Sequence, residues 1–268
     1  MAKNMLRIPL LAGLIFLLAA LLAACSSNTQ TGSQSGQDNS WQRVEKNDKL
    51  TVGLCAAYPP FESRNEKNGE IEGFDVDLAG ELAQELGLDV EIKDAEWQAL
   101  LGGLNNGDYD VLITCMSKKE AAVENVNMSD VYYNLNDVVV VREDETNIKS
   151  PEDLQGKVVG VQLGSGSEQI ADKLQGLKEI KRYNYNPEAF IDLKNKRIDA
   201  VIVGYAYAVE QMKEQKGFKI LDKPLESAEI VMVLRKGEDT LTQKLNGALA
   251  TVKEKGVYDQ LIDKWLQV

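Results

Sequence analysis

Histidine is absent from this chain of 268 residues. That excludes Ser-His-Asp and Cys-His nucleophilic catalysis and most zinc sites, each of which needs an imidazole as base or ligand. Cysteine is scarce too: Cys25, Cys55 and Cys115 are the three present, too few for a disulfide framework. No G-x-x-x-x-G-K loop occurs, so the chain carries no phosphate cradle of the ATPase kind. The uncharged run Leu10 to Ala24 is too short and too rich in alanine for a good permanent membrane span, which needs about 20 apolar residues. Positive charge is in deficit, with 30 Lys and Arg against 42 Asp and Glu and a formal net charge of −12. An acidic chain is a poor partner for nucleic acid or an anionic membrane surface. The charge favours solubility and says little about a ligand, because a pocket is free to oppose the global sign.

What is present begins with the N-terminus. Lys3 and Arg7 precede the apolar run, and Leu22-Ala23-Ala24-Cys25 closes it with small residues before a cysteine. This is the layout of a secretory signal. The L-A-A-C ending resembles the bacterial lipobox, which implies that Cys25 is lipidated, as by palmitate, and becomes the mature N-terminus. An ordinary signal peptide or a short anchor helix is the alternative. Ser26 to Ser40 holds one charge, Asp38, and no large apolar residue, so it reads as a flexible tether. The expected organisation is a lipoprotein signal over 1–24, a tether over 25–40, and a folded part beginning between Trp41 and Leu50. The remaining ~225 residues suffice for one large domain or two lobes with separate cores.

Along the folded part, strands alternate with helices. Leu50 to Leu54 is a short apolar strand. Phe74, Leu78, Leu82 and Leu86 share one face of a helix that Gly87 ends. Val90 to Ile92 alternates as a strand, Trp97 to Leu104 reads as helix, and Asp110 to Thr114 as a buried strand. A strand at Val138 to Val141 turns charged at Arg142 to Glu145. Ser150-Pro151-Glu152-Asp153 opens a helix. Lys157 to Val161 is a strand, Gly164 to Ser167 a small-residue loop leading into a helix at Glu168, Asn186-Pro187-Glu188 a helix cap, and Asp199 to Val203 a strand. The pattern is α/β with a mainly parallel sheet.

The halves echo each other. Leu104-Asn105-Asn106-Gly107-Asp108-Tyr109-Asp110-Val111-Leu112-Ile113 overlays Leu193-Lys194-Asn195-Lys196-Arg197-Ile198-Asp199-Ala200-Val201-Ile202, and Val52-Gly53 overlays Val159-Gly160. Two similar lobes are expected. Ligands of open α/β sheets bind beyond the carboxyl ends of the strands, so facing lobes make a cleft, and a hinge lets them close on a solute.

From about Leu50 to Leu266 the chain resembles the extracellular solute-binding proteins of polar amino acid ABC importers, family 3. The carrying motifs are Leu50-Thr51-Val52-Gly53, Ala57-Tyr58-Pro59-Pro60-Phe61-Glu62, Gly73-Phe74-Asp75-Val76-Asp77-Leu78, Gly107-Asp108-Tyr109-Asp110, Ser129-Asp130-Val131-Tyr132-Tyr133, Leu154 to Val161 and Gly256-Val257-Tyr258-Asp259. Each is weak alone, and their order is specific. The resemblance implies an α/β, two-lobed type II periplasmic-binding-protein fold with a central ligand cleft. Lobe 1 would hold 41–141 and 226–268, and lobe 2 would hold 142–225, with hinges near Val140 to Glu143 and Leu225 to Ile230. It implies a monomer outside the cell membrane that captures a small solute, has no catalytic role, cofactor or metal, and docks on an ABC permease with its ATPase.

The family grips an amino acid by both charges. Carried over, Tyr58, Phe61 and Trp97 would form the aromatic wall, with Cys115, Met116 and Ser117 at a strand end and Ser165, Gly166 and Ser167 as N–H donors to an anion. Core packing would explain the aromatics as well, and a plain N-cap would explain the serines. Two positions depart from the pattern. The carboxylate-binding arginine aligns with Ala122, and the ammonium-binding aspartate aligns with Gly204. An ordinary amino acid would leave polar groups unpartnered by that route, at a cost of a few kcal/mol. Lys118 and Glu229 are the replacements in reach, and both read equally as surface residues. Cys55 and Cys115 would face the cleft as a disulfide, as two free thiols, or with Met116 as a soft-metal site. The competing functions are a dehydratase-like enzyme on the same fold, for which Glu168 would be the acid, and a sensory binding module.

Overall fold

The computed structural model describes residues 38–267. The expected signal 1–24, the lipidation site Cys25 and most of the 25–40 tether lie outside the described residues. Apolar, β-branched segments form the strands: β1 (Lys49–Leu54), β2 (Ala57–Tyr58), β3 (Glu62–Arg64), β4 (Ile71–Glu72), β5 (Asp89–Asp94), β6 (Val111–Leu112), β7 (Val126–Arg142), β8 (Val158–Gln162), β9 (Glu179–Tyr183), β10 (Ala200–Gly204), β11 (Phe218–Ile220) and β12 (Ser227–Arg235). β2, β3 and β4 make a small antiparallel sheet. The rest run in the order β5-β1-β6-β12-β7-β10-β8-β9, with β11 also on β7.

Two parallel trios stand in this order. β1 lies between β5 and β6, and β8 lies between β9 and β10. Helices Phe74–Glu85 and Leu100–Asn106 link the first trio, and Gly166–Ala171 and Asn186–Lys194 link the second. These are the two lobes of an α/β, type II fold. They share β7, whose residues Val126 to Asn136 pair with β12 and whose residues Asp137 to Val141 pair with β10. The change of partner comes between Asn136 and Asp137, a few residues before the 141/142 boundary read from the sequence.

The internal echo is written in hydrogen bonds. Asp110 Oδ2 accepts from the Thr51 amide at 3.0 Å, and Asp199 Oδ2 accepts from the Val158 amide at 2.8 Å. Each aspartate fixes the start of the central strand against its neighbour. One residue earlier, Tyr109 and Ile198 pack over Gly53 and Gly160. A Cβ on either glycine would lie 2.6 Å from that side chain, so both central strands are bare at the same point for the same reason.

Alternation builds the cores. In β7, Val138 and Val140 face Phe190 and Tyr207, while Val139 and Val141 face Leu154 and Ala171. In lobe 1, Leu50, Val52, Val111 and Ile113 pack under Leu78 and Leu82 of helix Phe74–Glu85. That helix starts after Gly73, at φ 140°, where a Cβ would lie 2.2 Å from the Phe61 carbonyl oxygen. Among the described residues no helix is long and apolar enough to cross a membrane.

Some local expectations need adjusting. The segment Trp97 to Leu104 begins as a 3-10 turn over Trp97–Ala99. Ser150-Pro151 opens a 3-10 turn, Pro151–Leu154, with Asp153 accepting the Lys149 and Ser150 amides. Strand pairing in Asp110 to Thr114 is confined to Val111–Leu112, because the chain then bends under the cleft.

Candidate ligand-binding cleft

A cavity of about 50 Å³ lies between the lobes, beyond the carboxyl ends of β1, β6 and β8. From lobe 1 it is lined by Cys55, Ala57, Tyr58, Trp97, Thr114, Cys115, Ser117, Glu120, Ala228 and Ile230. Leu135 and Asp137 come from β7, and Gln162, Ser165, Gly166, Ser167 and Asn186 from lobe 2. Seven of the residues expected from sequence are thereby brought together: Tyr58, Trp97, Cys115, Ser117, Ser165, Gly166 and Ser167. Three are not. Phe61 is fully buried below Tyr58, edge-on to Phe74 and Tyr133. Met116 points into the apolar cluster with Leu100 and Leu112. Gly204 contributes its amide, which donates to Tyr58 Oη at 3.1 Å.

Direct bonds hold the lobes against each other. Trp97 Nε1 donates to the Gly164 carbonyl at 3.1 Å, and Gln98 Nε2 donates to that of Leu163 at 3.3 Å. Ser167 Oγ donates to Asp137 Oδ1 at 2.6 Å. The Gly166 amide donates to Glu120 Oε1. Most of the loop expected to offer donors is therefore engaged by the protein itself, since Ser165 Oγ also donates to the Gln162 carbonyl at 2.7 Å and accepts from the Glu168 amide at 3.2 Å; the Ser167 amide has no partner among the described residues.

The two departures acquire a structural meaning. Ala122 caps the short helix Lys118–Ala121 and is exposed. The residue of that segment that enters the cleft is Glu120, with Oε2 accepting the Ser117 amide at 2.7 Å. At position 204 a Cβ would lie 2.5 Å from Tyr58 Oη and 2.6 Å from Leu135 Cδ2. Tyr58 fills the space an aspartate there would need. Lys118 and Glu229 do not restore the missing charges: they pair with each other at 3.0 Å, 42% and 57% exposed, outside the cavity lining.

The cavity's charged lining is acidic. Burial raises the Glu120 carboxyl above its usual range, while the Ser117 hydroxyl and the Ser117 and Gly166 amides pull it back. Burial pushes Asp137 up to about 7, with the Ser167 hydroxyl opposing and the Glu120 charge adding. Beneath the floor lies a second acidic pair. Thr114 Oγ1 donates to Glu62 Oε1 at 2.9 Å, and the Cys115 amide and Tyr132 hydroxyl donate to Asp75 Oδ2 at 2.5 and 3.1 Å. Burial, then the Asp75 charge, drives Glu62 well up, and burial drives Asp75 to about 7. Glu62 Oε2 and Asp75 Oδ1 are buried with no donor, and a proton held between the two carboxyls would satisfy both.

Cys55 and Cys115 are free and buried, so the structure contains no disulfide between them. Burial pushes Cys55 up to about 12 and Cys115 well above the ordinary thiol range, which leaves both as unreactive thiols. No cluster of metal-ligating residues occurs among the described residues. Glu168 is turned away from the cavity, accepting from the Gly164 amide at 2.5 Å and pairing with Arg182.

Sequence reasoning missed Glu120, Asp137, Gln162 and Asn186. Ser117-x-x-Glu120 has capping-box spacing and does form one, which hid the second carboxylate oxygen's role. Asp137 carried a usable signal: it is the lone acid heading the apolar run Val138 to Val141, and a charge there is buried by the strand it starts. Asn186 reads as a cap, yet Tyr185 takes the cap position and Asn186 Nδ2 donates to Gln162 Oε1 at 3.0 Å.

Residues 50–268 match the family described as bacterial extracellular solute-binding proteins, family 3. The chain belongs to this family. The arginine-binding extracellular protein ArtP of Bacillus subtilis is 34% identical over 91% of this chain and 92% of its own length. The ABC transporter glutamine-binding protein GlnH of the same organism is 30% identical over 92% of each. Among solved structures, an arginine-binding protein mutant from T. maritima superposes with a TM-score of 0.79 at 36% identity, covering 85% of this chain and all of that one. The ancestral amino acid-binding protein AncCDT-1, described as a precursor of cyclohexadienyl dehydratase, gives 0.77 at 33% identity, covering 84% and 98%. The family relation places this protein among extracytoplasmic amino-acid-type binding proteins of ABC importers.

Proposed function

We propose that this protein is the lipid-anchored capture component of an ABC importer, taking a small polar solute between its lobes and presenting it to a permease and ATPase. The observation that carries the reading is the cavity lined from both lobes at the carboxyl ends of the repeated trios. Closure turns on the two crossing segments, β7 at Asn136/Asp137 and the chain entering β12 near Glu226. The L-A-A-C ending supports anchorage through Cys25. An enzymatic role finds no support in the site: the candidate acid Glu168 is held by Arg182 away from the cavity. A sensory role is not favoured by any feature of the cleft.

A thermal-shift screen of the full chain against small polar solutes tests capture. A solute at a hundredfold its dissociation constant adds about 2.7 kcal/mol of stability. Trp97→Ala, which removes a wall of the cavity and a lobe-to-lobe hydrogen bond, is expected to weaken that solute tenfold or more. Wild-type affinity in both Trp97→Ala and Tyr58→Ala would place the site elsewhere.

A further inference from the structure

The cavity holds two carboxylates and no cation. Glu120 is 8% exposed and Asp137 6% exposed, and no Lys or Arg lines the space. Lys118 and Lys119 are paired with Glu229 and Glu226 outside it, and Lys119 and Lys173 line the neighbouring hollow that Asp137 and Gly166 also border. A solute bearing its own carboxylate would enter with that group facing Glu120 and Asp137, with nothing positive to receive it. Desolvation of an unpaired anion opposes this at any pH, and repulsion between like charges adds to it wherever Asp137 and Glu120 are ionised.

The protein also occupies the anion seat itself. The backbone N–H of Gly166 on lobe 2 donates to Glu120 Oε1, a carboxylate delivered from lobe 1. The hydroxyls of Ser165 and Ser167 donate to the Gln162 carbonyl and to Asp137. The Gly166 N–H and the Ser165 and Ser167 hydroxyls are thus spent on the chain's own groups, and of this loop's backbone donors the Ser167 N–H alone has no partner among the described residues.

An acceptor, by contrast, is left over. Asp137 Oδ1 takes the Ser167 hydroxyl, while Oδ2 has no hydrogen-bond partner among the described residues. Asp137 sits in the cavity wall, more than nine-tenths buried, with Tyr58 and Trp97 lining the same space. A carboxylate oxygen with no protein donor, beside a second carboxylate and two aromatic side chains, is arranged for a positive group.

On the reading that this cavity is the solute seat, we propose that the solute is a small organic cation without a carboxylate, an amine or guanidine. Its N–H groups bond Asp137 Oδ2, its charge offsets Asp137 and Glu120 together, and Tyr58 and Trp97 cover its apolar part. Asp137 on β7 does the work that the family pattern assigns to position 204, where Tyr58 leaves no room. Glu120 replaces the solute's carboxylate at Gly166.

Calorimetry on the full chain with matched pairs tests this: glycine and methylamine, serine and ethanolamine, ornithine and putrescine, arginine and agmatine. At least one amine is expected to bind tenfold or more tightly than its parent amino acid. If, in the pair that binds most tightly, the amino acid equals or beats its amine, the proposal is overturned. If neither series binds while another solute in the broad screen does, the proposal falls and the capture reading stands; if nothing binds, both fall. Two variants, checked for folding by their melting curves, locate the charges. Asp137→Asn is expected to weaken the amine tenfold or more. Glu120→Ala frees the Gly166 N–H and is expected to raise amino acid affinity while lowering that of the amine. Unchanged preference in both variants would also overturn it.

Discussion

Asp137 is the residue on which the cleft's electrostatics turn. Its folded pKa is about 7, raised from 3.8 chiefly by burial. The folded state therefore holds a proton that the unfolded chain has released, across the window from about pH 4 to pH 7. Stability contributed by the neutral form is full below that window and is lost as pH rises through it. Asparagine keeps the carbonyl that accepts from Ser167 and never ionises. In the ligand-free protein, Asp137→Asn should match the wild type near pH 4 and exceed it at pH 8, by an amount on the order of 2–4 kcal/mol. Urea midpoints at the two pH values measure it. A gap that is the same at both would mean that Asp137 is ionised throughout, and the burial argument would fail. Bound amine would reverse the sign at pH 8, since a cation favours the charged carboxylate.

At the scale of elements, the decisive device is the bare central strand. Gly160 of β8 lies under Ile198 and Gly53 of β1 under Tyr109, each within 2.6 Å of where a Cβ would be. Gly160→Ala should cost about 1–3 kcal/mol by overpacking, and Ile198→Ala in the same chain should recover part of the loss, because it removes the atom that collides. Thermal melts of the two single variants and the double measure the coupling. Strict additivity would show that the glycine serves the backbone rather than the packing. This repeat was legible in the sequence because packing at Gly53 and Gly160 and capping at Asp110 and Asp199 both leave residue-type signatures at fixed offsets. So were the helices with apolar stripes, such as Phe74–Glu85. The site was legible only where a loop position dictates the contact, as at Tyr58, Trp97 and Ser165 to Ser167. Glu120 and Asp137 were hidden because their roles depend on where a short helix and a shared strand point once both lobes are assembled. Met116 sits between the lining residues Cys115 and Ser117, and Phe61 lies in the turn that follows Tyr58; both side chains turn into the apolar core instead.

At the scale of the whole molecule, an acidic cleft is carried on an acidic body. The net charge of −12 and the carboxylates of the cavity have the same sign, so the far field and the near field pull a cation in the same direction. Long-range attraction raises the rate of encounter and is screened by salt, while contacts inside a closed, dry cavity are screened far less. The association rate of the amine that binds should therefore fall about threefold or more between 10 and 150 mM salt, as the Debye length shrinks from ~30 to ~8 Å. The dissociation rate should change little, because release waits on opening the bonds of Trp97 to Gly164 and of Gly166 to Glu120. Stopped-flow fluorescence supplies both rates, since Trp97 borders the cavity and its indole bonds across the cleft. An association rate that rises with salt would mean that the body repels its solute, as it would an anion. That outcome would place a negative group on the solute, where Glu120 and Asp137 leave it no partner.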